Sequence, residues 1–401
     1  MMRVTILKST ANGTIKAQPS KSYSHRLLIA SALSNEECTV NNVVISQDIH
    51  ATIGCLFALG YEVDIEDNFV RIYKGKLKSS DEIELYCGES GSTLRFFIPI
   101  ACTTGKKLIF EGDERLIERG IGPYEEIFKQ QGIKYEIQKR KIIIEGKLRS
   151  GTFNLVGNIS SQFISGLLFA LPLLEGKSEI VLTTKLESKY YVDITLDVLR
   201  QAGINITVED NKYIIDGNGK YNGGTYTVEG DYSNAAFIDS FNYLNGSVKI
   251  EGLNENSKQG DKIYKELFKK LNEKYQTIDV SNCIDLGPIL FVFAGVKHGA
   301  HFTNVARLRI KESNRIRDIK EELIKCGIEV VETENDVYIY NQNLHAPTEE
   351  LYGHNDHRIV MALSVLLTVL GGTISGTEAV KKSYPSFFFD LEDLGIEVKY
   401  E

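Results

Sequence analysis

Residues 55–64, with the sequence Cys-Leu-Phe-Ala-Leu-Gly-Tyr-Glu-Val-Asp, contain the pattern that decides the fold. An apolar helical segment ends at Gly60, and a strand begins directly after it at Tyr61. Glycine is the usual residue at such a helix end, because it has no Cβ and adopts the left-handed conformation without strain. The same junction recurs at Gly132, Gly203, Gly327 and Gly395. This recurrence predicts a chain built from repeats of one unit.

The spacing of these glycines indicates the number of units. Steps of 72, 71 and 68 residues separate neighbouring junctions, whereas 124 residues lie between Gly203 and Gly327. The longer interval has room for one further unit, whose second helix we place at residues 262–271, with Asn272 as its left-handed cap. Each unit then has an apolar first helix, a strand, a second helix and two more strands. Six such units fill the chain.

The first helix of each unit is preceded by a short polar stretch rich in Ser, Gly and Asp. Such residues cap helices, and the unpaired N–H groups of a helix start can also seat an anion. Capping explains the hydroxyl and carboxylate groups but not Lys21, Arg26, Arg95 and Arg358, because a cation in the first turn opposes the helix dipole. An anionic ligand would offset these charges. The six stretches are residues 19–26, 88–95, 157–163, 229–236, 284–288 and 353–358.

Length and charge limit the class of protein. A chain of 401 residues can form about two domains with sizeable cores. Its 46 Lys and Arg against 54 Asp and Glu give a formal net charge of −8, with no block of like charges, so we expect no nucleic-acid partner. The cations in the motifs are then a local patch that draws a small anionic substrate.

The compartment follows from cysteine usage and from the absence of targeting patterns. The six cysteines are scattered without a Cys-x-x-Cys pair, which is typical of reduced thiols in a cytoplasmic protein. A predicted strand follows the first residues directly, so we expect no secretory signal. The longest apolar run, residues 359–370, is too short to span a bilayer and predicts a buried helix. We therefore expect a cytoplasmic protein with no membrane partner.

No motif for a cofactor or metal is found. Residues 88–91 (Gly-Glu-Ser-Gly) lack the lysine of a P-loop and the third glycine of a dinucleotide fingerprint. His354 and His357 lie three residues apart, but no third ligand is spaced nearby, which argues against a metal site. We expect the protein to use neither a metal nor a cofactor.

Two further segments are unusually rich in charge. Residues 307–315 contain four cations, three of which lie within about a turn of Glu312; for Arg309, a solvated helix face and a functional role are equally good interpretations. Residues 118–123 form a loop with Arg119 shortly before Pro123, which is expected to start the next helix. A plain connector is the alternative for this loop.

Five of these motifs together resemble the 5-enolpyruvylshikimate-3-phosphate synthase family. They occur in the family's order over essentially the whole chain, and they are residues 19–26, 90–95, 160–163, 309–315 and 355–358. The resemblance implies an α/β (α+β) fold, a two-domain inside-out α/β barrel of six βαβαββ units, three per domain about a pseudo-threefold axis. It also implies two chain crossings, so that one domain spans residues 19–229 and the other residues 1–18 with 230–401.

The resemblance further implies the reaction. The family transfers the enolpyruvyl group of phosphoenolpyruvate to the 5-hydroxyl of shikimate 3-phosphate and releases phosphate, in chorismate and aromatic amino-acid biosynthesis. The active site is expected in the cleft between the domains of a monomer. The domain 19–229 would carry most shikimate 3-phosphate contacts, and the other domain much of the phosphoenolpyruvate site. Addition gives a tetrahedral intermediate and elimination expels phosphate, which needs paired acid and base groups and no metal.

Site residues are carried over from the matching motifs. The catalytic set implied is Lys21, Asp285 and Glu312, with Asp285 as base at the 5-hydroxyl and the other two moving the methylene proton. Without the resemblance, a helix N-cap for Asp285 and a surface ion pair for Glu312 would be the better interpretations. The shikimate 3-phosphate contacts implied are Lys21, Ser22, Arg26, Ser160, Ser161, Gln162, Ser188, Asp285 and Lys311, with Tyr191 closing the site. The phosphoenolpyruvate contacts implied are Lys21, Gly91, Arg119, Gln162, Arg315, Arg358 and Lys382.

The chain departs from the family pattern at several positions. Glu89 stands where the family commonly has Asn. A carboxylate beside a phosphate-binding site repels the phosphate unless the carboxylate pairs with a cation. Phe96 and Gly120 replace prolines, while Arg307 and Asn314 replace Asn and Asp. These changes affect the shape of the phosphoenolpyruvate pocket, and hence the affinity for glyphosate, the family's inhibitor there.

Two alternatives remain open on sequence alone. The UDP-N-acetylglucosamine enolpyruvyl transferase shares the six-unit fold, but it has Lys-Asn in place of Lys21-Ser22 and a loop cysteine that residues 114–122 lack. A non-catalytic anion-binding or scaffold protein would keep the apolar repeat and lose the acid and base. The presence of Lys21, Asp285 and Glu312 argues against it.

Overall fold

The computed structural model describes residues 2–75, 80–244 and 246–401. By its internal contacts the chain divides into two compact units, Met1–Gln18 with Gly230–Glu401, and Pro19–Glu229. Each unit has its own apolar core. The amino-terminal segment thus packs with the carboxyl-terminal part of the chain, and it contains the strands β1 (Arg3–Ile6) and β2 (Asn12–Lys16).

The unit Pro19–Glu229 alternates helices and strands throughout. Its elements are α1 (Lys21–Ala32), β3 (Cys38–Asn41), α2 (Gln47–Leu59), β4 (Glu62–Ile65), β5 (Phe69–Tyr73), β6 (Glu82–Tyr86), α3 (Gly91–Cys102), β7 (Lys107–Glu111), α4 (Glu114–Glu118), α5 (Gly122–Gln131), β8 (Lys134–Ile137), β9 (Lys141–Glu145), β10 (Thr152–Leu155), α6 (Ser161–Ala170), β11 (Ser178–Leu182), α7 (Lys189–Gln201), β12 (Ile206–Glu209), β13 (Lys212–Ile215) and β14 (Gly224–Thr227).

These strands form three four-stranded sheets of one topology, in the orders β14-β3-β5-β4, β6-β7-β9-β8 and β10-β11-β13-β12. In each sheet the first pair is parallel and the other two pairs are antiparallel. In the second sheet, Leu108 and Phe110 of β7 are buried and alternate with partly exposed residues, so one face of the sheet covers the core. This is the connectivity expected for βαβαββ units.

The other unit continues the same pattern after residue 230. Its elements are α8 (Tyr232–Asp239), β15 (Ser247–Glu251), α9 (Tyr264–Glu273), β16 (Gln276–Asp279), α10 (Gly287–Val296), β17 (Ala300–Thr303), α11 (Arg315–Ile324), β18 (Ile328–Glu332), β19 (Asp336–Asn341), β20 (Leu351–Tyr352), α12 (His357–Leu370), β21 (Gly372–Ser375), α13 (Phe387–Asp393) and β22 (Val398–Tyr400).

One repeat in this unit is abbreviated. The sheets β16-β17-β19-β18 and β20-β21-β1-β22 are four-stranded, but β15 pairs only with β2 among the described residues. Lys274 and Tyr275 alone separate α9 from β16, so this repeat lacks the closing hairpin of the others. The missing hairpin explains why Gly203 and Gly327 are closer than two full repeats.

The cap predicted at Asn272 is wrong for the same reason. Asn272 lies inside α9, which ends at Glu273, and the chain leaves through Lys274 with φ −169°. A left-handed cap turns the chain back into a hairpin, and here no hairpin follows. The five glycine junctions are confirmed, with φ between 69° and 98°, at Gly60, Gly132, Gly203, Gly327 and Gly395.

The predicted openings of the first helices are confirmed at α1, α3, α6, α8, α10 and α12. In five of them the N-cap side chain accepts a hydrogen bond from the first turn, and these caps are Ser20, Ser90, Ser160, Asp231 and Asp356. The helix α10 instead follows a 3₁₀ turn, Ile284–Leu286. No helix of the described residues combines the length and apolar character needed to cross a membrane.

Candidate active site

Close packing of α3 against α6 brings two of the predicted motifs together in the unit Pro19–Glu229. A Cβ on Gly166 of α6 would lie 2.3 Å from the carbonyl oxygen of Arg95, so only glycine fits there. The hydroxyl of Tyr124 donates to the carbonyl of Arg95 at 2.7 Å and to that of Phe163 at 3.0 Å. The first turns of α3 and α6 are thereby neighbours.

Polar side chains meet at these two helix starts. The Oε1 of Gln162 accepts from Nη1 of Arg95 at 2.6 Å, and its Nε2 donates to Oγ of Ser92 at 2.9 Å. A Cβ added to Gly91 would lie 3.2 Å from Nη2 of Arg119 and 3.3 Å from Oε1 of Gln162. The absence of a side chain at Gly91 therefore lets Arg119 approach the start of α3. Three predicted phosphoenolpyruvate residues, Gly91, Arg119 and Gln162, are thus brought together.

A second cluster lies where α1 meets α7. The buried guanidinium of Arg26 donates to Oγ1 of Thr195 at 2.7 Å, to the carbonyl of Ser22 at 2.9 Å and to that of Tyr191 at 3.0 Å. It also lies over the ring of Phe96, 4.9 Å from the centroid, so a residue that departs from the family pattern supplies a cation–π face. Burial lowers the pKa of Arg26 to about 10, which leaves it charged at neutral pH.

The remaining residues of this unit lie at helix starts. Ser188 is buried, has φ 52° and precedes α7 directly. Ser160 caps α6 through a 3.3 Å bond from the backbone N–H of Gln162, and Ser161 is buried in its first turn. Nζ of Lys21 lies 2.8 Å from Oδ2 of Asp48 in the first turn of α2. Asp48 was not predicted as a site residue, because a favourable interaction with the helix dipole already explains an acidic residue in a first turn.

In the other unit, Arg315 is the centre of an ionic network. Its side chain is 1% exposed and donates from Nε to Oδ2 of Asp356 at 2.8 Å, from Nη1 to Oδ1 of Asp285 at 2.9 Å and from Nη2 to Oε2 of Glu312 at 2.8 Å. Burial by itself lowers the pKa of Arg315, but the three carboxylates outweigh burial and raise it. The network joins both predicted acid–base carboxylates to one cation.

Asp285 is held as a carboxylate by two cations. Nζ of Lys311 lies 3.0 Å from Oδ1 of Asp285, the same oxygen that Arg315 contacts. Burial raises the pKa of Asp285, but Lys311 and Arg315 more than offset this and hold it well below its usual range. The alternative of an N-cap is wrong, because Leu286 occupies the cap position of α10. A surface pair for Glu312 is also wrong, since its partner Arg315 is buried.

Asp356 connects the network to the start of α12. It is fully buried and accepts from the backbone N–H of Arg358 at 2.9 Å. Arg358 donates from Nη1 to Oδ1 of Asn234 at 3.0 Å and lies over the ring of Phe237. Nζ of Lys382 donates to the carbonyl of Asn355 at 2.5 Å. The predicted residues Arg315, Arg358 and Lys382 are thereby tied to one short turn before α12.

Arg309 is not a solvated residue. Nη1 lies 2.7 Å from Oε2 of Glu332, and Nη2 donates to the carbonyl of Thr333 at 2.5 Å, with the side chain 27% exposed. The last residue of β18, Glu332, and the first residue of the following turn, Thr333, supply these acceptors. Arg309 therefore anchors the charged segment to the end of β18 and the turn that follows it.

Two further buried acids, Asp356 and Asp261, were not predicted as site residues from the sequence. Asp356 is inside a recognised motif, but a helix N-cap explains an aspartate there equally well. Asp261 accepts a hydrogen bond from Ser233, and burial followed by repulsion from Asp285 raises its pKa to about 6. Nothing near Asp261 in the sequence indicates burial, because it lies between Gly260 and Lys262.

Comparison with known proteins places the whole chain in one family. Residues 7–391 match the family model described as EPSP synthase (3-phosphoshikimate 1-carboxyvinyltransferase). The chain is 44% identical to the 3-phosphoshikimate 1-carboxyvinyltransferase of Clostridium acetobutylicum, with 96% of each chain covered. It is 40% identical to the enzyme of that name from Clostridium kluyveri, covering 99% of this chain and 98% of the relative.

A solved structure agrees with the fold. The EPSP synthase from Acinetobacter baumannii superposes with a TM-score of 0.81 over 100% of both chains, at 22% sequence identity. This likeness bears on architecture alone, and it supports a two-domain α/β fold of the expected class. Taken with the match of the family model and the identity to the clostridial enzymes, it leads to one conclusion: the chain belongs to the EPSP synthase (3-phosphoshikimate 1-carboxyvinyltransferase) family.

Proposed function

We propose that this chain is a 3-phosphoshikimate 1-carboxyvinyltransferase, which transfers the enolpyruvyl group of phosphoenolpyruvate to the 5-hydroxyl of shikimate 3-phosphate and releases phosphate. The reaction belongs to chorismate and aromatic amino-acid biosynthesis. Family membership supports this assignment. The observation that carries it is the pairing of Asp285 and Glu312 on one buried arginine, Arg315, because the reaction needs two proton-transfer groups near a phosphate-binding cation.

Residues of both units bind the two substrates. Shikimate 3-phosphate is bound by Ser22, Arg26, Ser160, Ser161, Gln162, Ser188 and Lys311, and phosphoenolpyruvate by Gly91, Arg119, Gln162, Arg315, Arg358 and Lys382, with Lys21 touching both. The approach of Arg119 to Gly91 supports a phosphate seat at the start of α3, since N–H groups and a guanidinium then face the same anion. The domain bounds are those of the two compact units.

The chemistry is an addition followed by an elimination. Asp285 takes the proton of the 5-hydroxyl as that oxygen bonds to C2 of phosphoenolpyruvate, while Glu312 and Lys21 deliver a proton to the methylene carbon. In the second step the C2–O bond to phosphate breaks and the new methyl group returns a proton. Lys311 and Arg315 hold the pKa of Asp285 low in the unliganded enzyme. Bound phosphate and carboxylate groups offset these cations and make Asp285 a stronger base.

Two general properties complete the proposal. The enzyme is a monomer of the cytoplasm, where thiols stay reduced; this agrees with the six free cysteines, which are all buried. It needs neither a metal nor a cofactor. Glyphosate competes at the phosphoenolpyruvate site, with an affinity set in part by Glu89, Phe96 and Gly120.

Phosphate release measured with and without shikimate 3-phosphate tests the assignment. Purified protein is given phosphoenolpyruvate in the presence of a chelator, and the organic product is identified by NMR. We expect phosphate and an enolpyruvyl ether in equal amounts, only with shikimate 3-phosphate present. Turnover with UDP-N-acetylglucosamine instead would favour the related transferase, and the absence of turnover with either acceptor would favour a non-catalytic protein.

A further inference from the structure

The turn before α12 contains two consecutive residues in the left-handed region. His354 has φ 49° and Asn355 has φ 51°, and neither is glycine. Asn tolerates this conformation well and His less so, because positive φ is sterically unfavourable for a residue with a Cβ. Contacts outside the turn must therefore hold it in place.

This turn determines where three of the proposed phosphoenolpyruvate residues lie. The carbonyl of Asn355 accepts from Lys382, and the carboxylate of Asp356 accepts from Arg315 and from the backbone N–H of Arg358. A change of φ at residues 354 and 355 would move both acceptors at once. The positions of these cations thus depend on a backbone conformation that is unfavourable by itself.

The imidazole of His354 fixes the turn to α11. Its Nε2 lies 2.8 Å from Oε1 of Glu322, which is buried, and its Nδ1 lies 3.9 Å from Oδ1 of Asp318. The other oxygen of Glu322 accepts from the backbone N–H of Tyr352 at 2.9 Å and from Nζ of Lys325 at 2.9 Å. One carboxylate therefore holds both the strand β20 and the turn that follows it.

The turn is attached to α11 at two places, two helical turns apart. Asp356 binds Arg315 at the start of the helix, and His354 binds Glu322 near its end. Because helix residues seven apart lie on the same face, both attachments hold the turn against the same face of α11. The first attachment belongs to the active-site network and the second contacts none of the proposed substrate residues.

A metal ion is the other use that this cluster could have. Asp318, Glu321 and His354 each offer a ligand atom within 4.8 Å of the others. However, Arg317 lies 2.7 Å from Asp318 and 3.9 Å from Glu321, and Nε2 of His354 lies 2.8 Å from Glu322. Each of the three groups therefore already has a protein partner, which argues against a metal ion at this cluster.

We propose that His354 is a positioning residue for phosphoenolpyruvate: through Glu322 it fixes the left-handed turn that places Lys382, Arg315 and Arg358. The inference rests on the proposed function. Loss of the imidazole should weaken phosphoenolpyruvate binding and leave shikimate 3-phosphate binding nearly unchanged. The reason is that the turn contacts residues assigned to phosphoenolpyruvate. Glu322 acts through His354, so loss of its carboxylate should also weaken phosphoenolpyruvate binding selectively, but by a smaller factor.

Steady-state kinetics of His354→Ala test the inference. We expect the KM for phosphoenolpyruvate to rise at least tenfold, with the KM for shikimate 3-phosphate within twofold of wild type. His354→Asn, which tolerates positive φ and keeps an N–H donor, should restore most of the loss. The matched control is His301→Ala, because His301 also pairs with a carboxylate, Asp336 at 2.9 Å, in the same unit. We expect both KM values of this control to stay within twofold.

Several outcomes would overturn the inference. An unchanged KM for phosphoenolpyruvate in His354→Ala would do so, as would an equal rise of both KM values, which is what a merely structural role gives. If His354→Ala does not fold, the comparison passes to Glu322→Gln, which must then raise the KM for phosphoenolpyruvate alone, while His354→Asn stays closer to wild type than Glu322→Gln does. Absence of turnover in the wild-type enzyme would overturn the proposed function, and this inference with it. If the wild-type enzyme turns over but the KM of His354→Ala for phosphoenolpyruvate is unchanged, the inference alone is overturned.

Discussion

Replacement of Arg315 by lysine keeps the charge and removes the planar guanidinium. Arg315 makes four hydrogen bonds to three carboxylates, two of them to Asp356 at 2.8 and 3.3 Å and one each to Asp285 and Glu312. A lysine has one nitrogen at the end of its chain and cannot span acceptors on several sides. We expect it to keep about two of these bonds.

The magnitude follows from burial. A hydrogen bond to a charged group is worth about 1.5–3 kcal/mol, and a buried ion that loses its partner costs about 3–5 kcal/mol. Because Arg315 is 1% exposed and Asp356 is fully buried, water cannot replace the lost contacts. Arg315→Lys should therefore lower the free energy of unfolding by about 3–5 kcal/mol. Displacement of Asp285 and Glu312 should also lower kcat/KM by about 10²-fold or more.

Urea unfolding and steady-state kinetics measure the two effects. The control is Arg317→Lys, on the same helix, because Arg317 also binds a carboxylate, Asp318 at 2.7 Å, but is 62% exposed. Exposed ion pairs contribute about 0–1 kcal/mol, so the control should lose no more than that and stay active. An Arg315→Lys variant that is no less stable than Arg317→Lys, or that retains wild-type kcat/KM, would contradict this prediction.

Three further predictions address single groups. Glu312→Gln cannot exchange a proton, so kcat should fall by roughly 10²- to 10⁴-fold with little change in shikimate 3-phosphate binding, and wild-type turnover would exclude the assigned role. The pKa of Asp261 rises from 3.8 to about 6, so this residue favours folding below pH 3.8 and loses that contribution as pH rises through 6. Asp261→Asn should thus gain stability relative to wild type between pH 4 and 8, by up to about 3 kcal/mol in urea unfolding, and a pH-independent difference would contradict the assigned burial. Glu89→Asn should lower the KM for phosphoenolpyruvate or leave it unchanged, and a tenfold rise would show that Glu89 holds a needed cation in place.

Local signals made most of the fold predictable from the sequence. Helix starts depend on a cap residue within the first turn, and helix ends depend on a glycine that adopts positive φ, so both are encoded within a few residues. This is why the helix starts within residues 19–26 and 88–95 and the helix end at Gly132 were correctly predicted. The abbreviated repeat was not predictable, because a missing hairpin leaves only a shorter interval. Asn272 was then placed as a cap by analogy with the other units.

The site was harder to predict because its partners are far apart in sequence. Arg315 meets Asp285 from 30 residues away and Asp356 from 41 residues away. Taken alone, Asp285 fits an N-cap, and only the folded chain shows that its carboxylate faces cations. The contact of Arg309 was equally hard to predict, since its acceptor Glu332 lies on a strand that follows the next helix. The resemblance to a family supplied roles that no local pattern could supply.

Reaction in D₂O tests the central claim most directly. If a solvent-exchanged acid delivers the proton to the methylene carbon, the intermediate carries a CH₂D group, and loss of H⁺ leaves deuterium in the vinyl group of the product. We therefore predict deuterium at that carbon by NMR, with one phosphate released for each enolpyruvyl ether formed. A product without deuterium, or phosphate released without the ether, would contradict addition and elimination by these residues.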